Sequence, residues 1–181
     1  PNRCSSGFLT TNDCALPGGA SMEFFTTGAT VLDTDQPVQV VHFIPGQSAS
    51  GTTAATGDPS MTLVTPTEQW SRSPWFSTIS GLRDTWVRLA WDNTVTSAVL
   101  LDGVPVAGSS LANSTISFAN VSVASGAHVV STTPAGMPVG VELYGYTLYS
   151  SYATMGPRVP QFPRELYQVI VANESHQAVD Y

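Results

Sequence analysis

The sequence predicts an all-β fold: an antiparallel β-sandwich, jelly-roll-like, with a C-terminal extension strand. Three observations predict it. No stretch sustains apolar residues at a 3.6-residue spacing, so no amphipathic helix is expected. Short runs rich in Val, Ile, Thr, Tyr, Phe and Trp recur instead, separated by Gly, Pro, Asn, Asp and Ser. Only 10% of the 181 residues are charged, well under the roughly 25% of an ordinary soluble domain.

The elements follow in chain order. Cys4 and Cys14 flank a segment in which Gly7, Asn12 and Asp13 let the chain turn back. In a secreted chain they are expected to form a disulfide, contributing up to roughly 3 kcal/mol in the chain-entropy picture; two free thiols of a cytosolic protein are the alternative. Strands are expected at 22–26, 30–33, 38–44 and 61–65, with the small, polar stretch 46–57 (GQSASGTTAATG) as a surface loop. Further strands are expected at 75–79 and 86–91. In the latter, Val87, Leu89 and Trp91 share one face and Trp86, Arg88 and Ala90 the other. Arg88 marks that second face as partly wet.

Runs 98–101 and 104–107 flank Asp102-Gly103, whose residue types suit the positive φ values of a type I′ hairpin turn. Pro105 cannot donate to a ladder and favours a sheet edge. Strands 116–123 and 128–132 flank a tight turn at Ser125-Gly126, and the glycine-punctuated run 139–148 reads as the closing strand of the sandwich. Residues 1–156 are thus expected as the sandwich domain, 157–165 as a proline-spaced linker, and 166–181 as a tail whose run 166–172 is one more strand.

Composition excludes several functions. A net charge of -7, with no lysine anywhere, argues against nucleic acid and anionic membrane surfaces, both of which need a basic footprint. The Ser48 context, Gly46-Gln47-Ser48-Ala49-Ser50, lacks the second glycine of a nucleophile elbow. His42, His128 and His176 are scattered without metal-ligand spacing. Asp33, Asp35, Asp92 and Asn93 carry oxygen ligands of the kind calcium takes but read as solvated turn residues. The acids show no pairing across a cleft. No enzyme activity, metal or cofactor is expected.

Sequons at Asn113, Asn120 and Asn173 point to a secreted or cell-surface glycoprotein. No signal peptide or membrane span is read, and a start at Pro1 suggests a processed or excerpted form. Tyr149 and Tyr152, placed beyond the last domain strand, are the candidate recognition residues for glycan or protein.

Four stretches carry a resemblance. They are 36–43 (QPVQVVHF), 57–70 (GDPSMTLVTPTEQW), 100–106 (LLDGVPV), and 125–128 (SGAH) leading to 139–146 (VGVELYGY). In order and spacing they resemble the later half of the IgGFc-binding-type N-terminal domain, over about residues 20 to 156. The Asp-Pro-x-Met and Pro-x-Glu-Gln pieces are the most specific. The resemblance implies an extracellular, all-β, non-enzymatic module used in adhesion, mucus or matrix. It assigns no residue of this chain to Fc binding.

Two functions are open at this point. In the first, the chain is a filament subunit. It lends the strand around Tyr167, Val169, Ile170 and Val171 to the sheet edge of a neighbour across the proline linker, and so polymerises head to tail; the alternatives for this strand are that it folds back on its own sheet or is a disordered stub. In the second, it is a monomeric secreted module that binds glycan or another extracellular protein through its loops.

Overall fold

The computed structural model of the chain describes residues 2–3, 7–8, 14–25, 29–44, 57–158 and 167–171. Its strands are β1 (Asn2–Arg3), β2 (Gly7–Phe8), β3 (Cys14–Ala15), β4 (Phe24–Phe25), β5 (Thr30–Thr34), β6 (Val41–Ile44) and β7 (Ser60–Leu63). A 3-10 turn at Thr67–Gln69 follows. Then come β8 (Trp75–Ser77), β9 (Asp84–Asp92), β10 (Ala98–Leu101), β11 (Val104–Pro105), β12 (Ser109–Ser110), β13 (Ile116–Ser122), β14 (Ala127–Thr133), β15 (Gly140–Thr147), β16 (Ser150–Met155) and β17 (Tyr167–Val171). The fold is all-β, as the alternating runs imply.

Two antiparallel sheets face each other. One has the order β11-β10-β14-β8, the other β12-β13-β9-β15-β16. Strand β14 shows the one-sided pattern plainly: His128, Val130 and Thr132 are buried, while their neighbours are exposed. Phe76, Val99, Leu101 and Val130 from the four-stranded sheet meet Val87, Leu89, Trp91, Ala119, Val141 and Leu143 from the five-stranded sheet. Val87 and Leu89 are fully buried, and each stabilises by about 1.5–3 kcal/mol relative to exposure.

The hairpin at Asp102-Gly103 forms as its chemistry demands. Both residues have positive φ (52° and 81°), and Leu101 pairs with Val104 across the turn. Pro105 lies on β11, an edge strand.

Three expectations are corrected. The first concerns Arg88, which is 4% exposed rather than on a wetted face. The second face of the five-stranded sheet is covered: Trp70 packs with Ala90 and Ile116, joined by Val31, Leu111 and Phe118, and the β6–β7 ribbon packs beside β16 and reaches Glu142 on β15 through His42. The second concerns 139–148. That run is not a closing strand, because β15 is flanked by β9 and β16, and β16 extends the sheet over Ser150–Met155. Its Ser, Tyr, Ala and Thr residues form no apolar alternation, which is why the strand is hidden in the sequence.

The turn expected at Ser125-Gly126 is present; it carries the chain from β13 in one sheet to β14 in the other. The third correction concerns the tail. Its run pairs at home, with β17 antiparallel to β5 of the same chain and Tyr167 opposite Thr34, Val169 opposite Leu32, Ile170 opposite Val31 and Val171 opposite Thr30. The strand expected to be lent to a neighbour is thus engaged within its own chain.

Candidate functional site

The covered face carries a charged cluster built by register. Arg88 on β9 lies directly opposite Asn120 on β13 and Glu142 on β15, so the three side chains stand in one row across the sheet. Arg88 Nε donates to Asn120 Oδ1 at 3.1 Å and Nη1 donates to Glu142 Oε2 at 2.7 Å. The guanidinium lies 5.1 Å from the centroid of the Tyr144 ring. From the ribbon above, His42 Nδ1 sits 2.9 Å from Glu142 Oε1. Burial pushes the Glu142 carboxyl up. The hydrogen bond from His42 and the charge of Arg88 outweigh this and hold it below its ordinary value. Both carboxylate oxygens are thereby engaged, and the cluster clamps ribbon to sheet rather than presenting an acid or base.

A cleft of about 30 Å³ lies beside the cluster, lined by Thr65, Trp70, Arg88, Phe118, Gly140 and Glu142 among others. A water needs about 10–15 Å³ by the same measure, so the cleft has the scale of water and not of an organic substrate.

A second clamp joins turns in the opposite sheet. His128 Nδ1 lies 2.7 Å from Asp102 Oδ2 and Nε2 lies 3.0 Å from the Ala124 carbonyl. Both ring nitrogens face acceptors, an arrangement that suits the doubly protonated imidazolium. Burial disfavours that charge, yet the Asp102 carboxylate and the Ala124 carbonyl prevail and raise the His128 pKa. Asp102 Oδ1 also accepts from the Val129 N–H at 2.9 Å. Hydrogen bonds from His128 and Val129 lower the Asp102 pKa.

The residues singled out by sequence are scattered. Tyr149 is 62% exposed in a turn with φ 55°. Tyr152, expected beyond the strands, lies within β16 and packs against the main core; burial pushes its phenol above the ordinary value. Asn113 is exposed in a turn with φ 56°, whereas Asn120 is committed to Arg88. Cys14 lies in β3, while Cys4, Asn173 and His176 lie outside the described residues, as does the 46–56 part of the expected loop. The backbone of Tyr167, Val169, Ile170 and Val171 forms β17. Asp92 Oδ1 is taken by the Thr94 N–H and hydroxyl. Among the described residues, no group of three or more His, Cys, Asp or Glu side chains is placed to hold a metal.

Sequence reasoning missed two exposed apolar faces. On the outer side of the four-stranded sheet, Trp75 (69% exposed) stands opposite Val129 (58%) across β8 and β14. On the ribbon, Phe43 (63%) stands opposite Met61 (65%), with Val41 exposed beside them. Alternation in both places was visible, but it does not say which side of a strand meets the core.

The family model described as IgGFc binding protein matches residues 6–145. That is well over half of the chain, so the chain belongs to this family. No curated protein and no solved structure matches it.

Proposed function

With that membership as premise, we propose that the chain is a non-enzymatic, extracellular binding module that engages another protein through the outer face of its four-stranded sheet. The observation that carries the reading is Trp75, 69% exposed with Val129 opposite it. A Trp held out of the core on a rigid strand supplies a large, low-entropy contact, and such residues anchor protein interfaces. The histidines and acids in the two clamps support a binding rather than a catalytic role, because those groups already hold one another. The exposed sequon at Asn113 fits an extracellular setting.

The family description names the Fc part of immunoglobulin G, which makes Fc the first probe. Immobilised Fc is to be titrated with the chain and with Trp75→Ser, alongside an array of glycans. Saturable Fc binding that Trp75→Ser abolishes supports the reading. Binding that Trp75→Ser leaves unchanged moves the site to another face, and glycan binding without Fc binding replaces the protein partner with a sugar.

The filament reading is finer. A lent tail would take β5 of the neighbour, since β5 is the strand it pairs with at home. Electron microscopy of the whole chain beside one ending at Pro163 decides it. Filaments only from the whole chain support lending; particles of one size from both reject it.

A further inference from the structure

We propose that a second copy of this chain docks along the edge of β6 that no described strand pairs, the two β6 strands pairing antiparallel about a two-fold axis at His42. The contact is independent of the Trp75 face and of the tail.

The ribbon is built inside out. Its sheet-facing side carries His42, held by Glu142, and Thr62, 6% exposed, together with Ile44 at 1%. Its solvent side carries Val41, Phe43 and Met61, at 38%, 63% and 65%. Of the apolar residues of β6 only Ile44 turns inward, whereas a strand that served only its own core would turn all of them there.

The backbone tells the same story. Val64 N–H donates to the Val40 carbonyl, and the register pairs His42 with Thr62 and Ile44 with Ser60. Residues 40, 42 and 44 therefore bond to β7, and the N–H and C=O groups of Val41 and Phe43 point to the opposite edge. Among the described residues β6 has β7 as its only partner strand. Exposed edges are ordinarily guarded by charge, proline or a bulge. Here segments 36–44 and 60–67 contain no Asp, Glu, Lys or Arg, within a chain of net charge -7.

A second copy fits this edge by symmetry. With the axis at His42, Val41 of one copy faces Phe43 of the other, and each pair exchanges both backbone hydrogen bonds. The two His42 side chains stay inward on Glu142 of their own chains. The apolar outer faces then join into one continuous surface across the axis. No like charges are opposed at this edge, so two copies of an otherwise acidic chain can meet here, and an isologous contact of this kind closes at the dimer.

Sedimentation velocity of the whole chain, at up to about 100 µM, tests the contact beside Phe43→Lys and Trp75→Lys. The expected result is a concentration-dependent dimer for the parent and for Trp75→Lys, and a monomer for Phe43→Lys with unchanged circular dichroism. A monomeric parent, or a dimer that persists in Phe43→Lys, overturns the proposal. Register is read separately by mixing Val41→Cys with Phe43→Cys under oxidation. Facing residues are about 5.5 Å apart at Cα, within disulfide reach, whereas 41 with 41 and 43 with 43 are diagonal at about 7–8 Å. Cross-linking in the mixture that exceeds either variant alone supports the axis at His42. Equal cross-linking in all samples overturns it.

Discussion

The Arg88–Glu142 pair makes the sharpest test of how this sheet is held. The Arg88 side chain is 5% exposed and that of Glu142 14%, so neither charge is screened by water as a surface pair would be. Replacing Arg88 by Met removes the bond to Glu142, the bond to Asn120 and the contact with Tyr144, and leaves the carboxylate buried with His42 alone. Breaking one side of a buried pair costs about 3–5 kcal/mol, a large part of a typical stability of about 5–15 kcal/mol. For a chain of this size the melting temperature is expected to fall by roughly 6–20 °C. Glu142→Leu is expected to cost a similar amount, because it strands the guanidinium instead.

The double variant, Arg88→Met with Glu142→Leu, leaves no stranded charge between these two positions and is expected to recover most of either loss. Urea unfolding of the four proteins closes the cycle. A double variant that loses the sum of the singles would show that the two side chains do not interact. Single losses under about 1 kcal/mol would refute the burial argument, since that is the size of a solvent-exposed pair.

Three further outcomes are expected. The His128 pKa is raised above its ordinary 6.5 in the folded state, so its contribution is whole below 6.5 and is lost as pH rises through the raised value. Those of Asp102 and Glu142 are lowered from 3.8 and 4.5, so their contributions are present above those values and lost as pH falls through the lowered ones. Thermal unfolding is therefore expected to show greatest stability between roughly pH 5 and 6.5, and His128→Gln is expected to flatten the alkaline limb and to remove most of the Asp102 share of the acid limb, leaving the Glu142 share in place. At Gly140 an added Cβ meets Trp70 Nε1 at 2.5 Å; Gly140→Ala is expected to cost about 1–3 kcal/mol by overpacking, read by urea unfolding with a shift in Trp fluorescence. Tyr149→Gly relieves a side chain held at φ 55° and is expected to raise stability by up to about 1 kcal/mol, which a rise in melting temperature checks.

Much of the fold was legible where the signal is local. The hairpin at Asp102-Gly103 is set by two residues that tolerate positive φ, and the strands around it follow from alternation. What alternation cannot give is the far side of a strand. Val87, Leu89 and Trp91 were grouped correctly, but the wetness of the opposite face depended on Trp70 and the ribbon, which arrive from other parts of the chain. The tail shows the same limit: its strand character is local, and its partner, β5, lies near the other end of the sequence. Tyr152 misled because Ser150–Met155 pairs through its backbone without an apolar pattern to announce it. The Asn120 sequon shows a further limit: the motif is local, but the contact of its side-chain oxygen with Arg88 depends on the register of β13 against β9.

The cluster also explains why the ribbon faces as it does. A buried Arg88–Glu142 pair needs further hydrogen-bonding groups close by, or its desolvation goes uncompensated. His42 supplies one from β6, with Thr62 directly across from it on β7. Side chains alternate with a period of two, so committing His42 and Thr62 to the inner side forces Val41, Phe43 and Met61 to the outer side. A slip of one residue would place Phe43 over the charges, take His42 away from Glu142 and turn the polar side to water. The buried charges therefore fix the register, and the fixed register puts an uncharged apolar edge on the surface. Weakening the cluster should then loosen the edge as well: Glu142→Leu is expected to weaken β6-mediated dimerisation even where the sandwich stays folded, because His42 loses the group that holds it inward. Dimerisation as strong as the parent's in a folded Glu142→Leu would separate the two features and show that the ribbon keeps its register without the clamp.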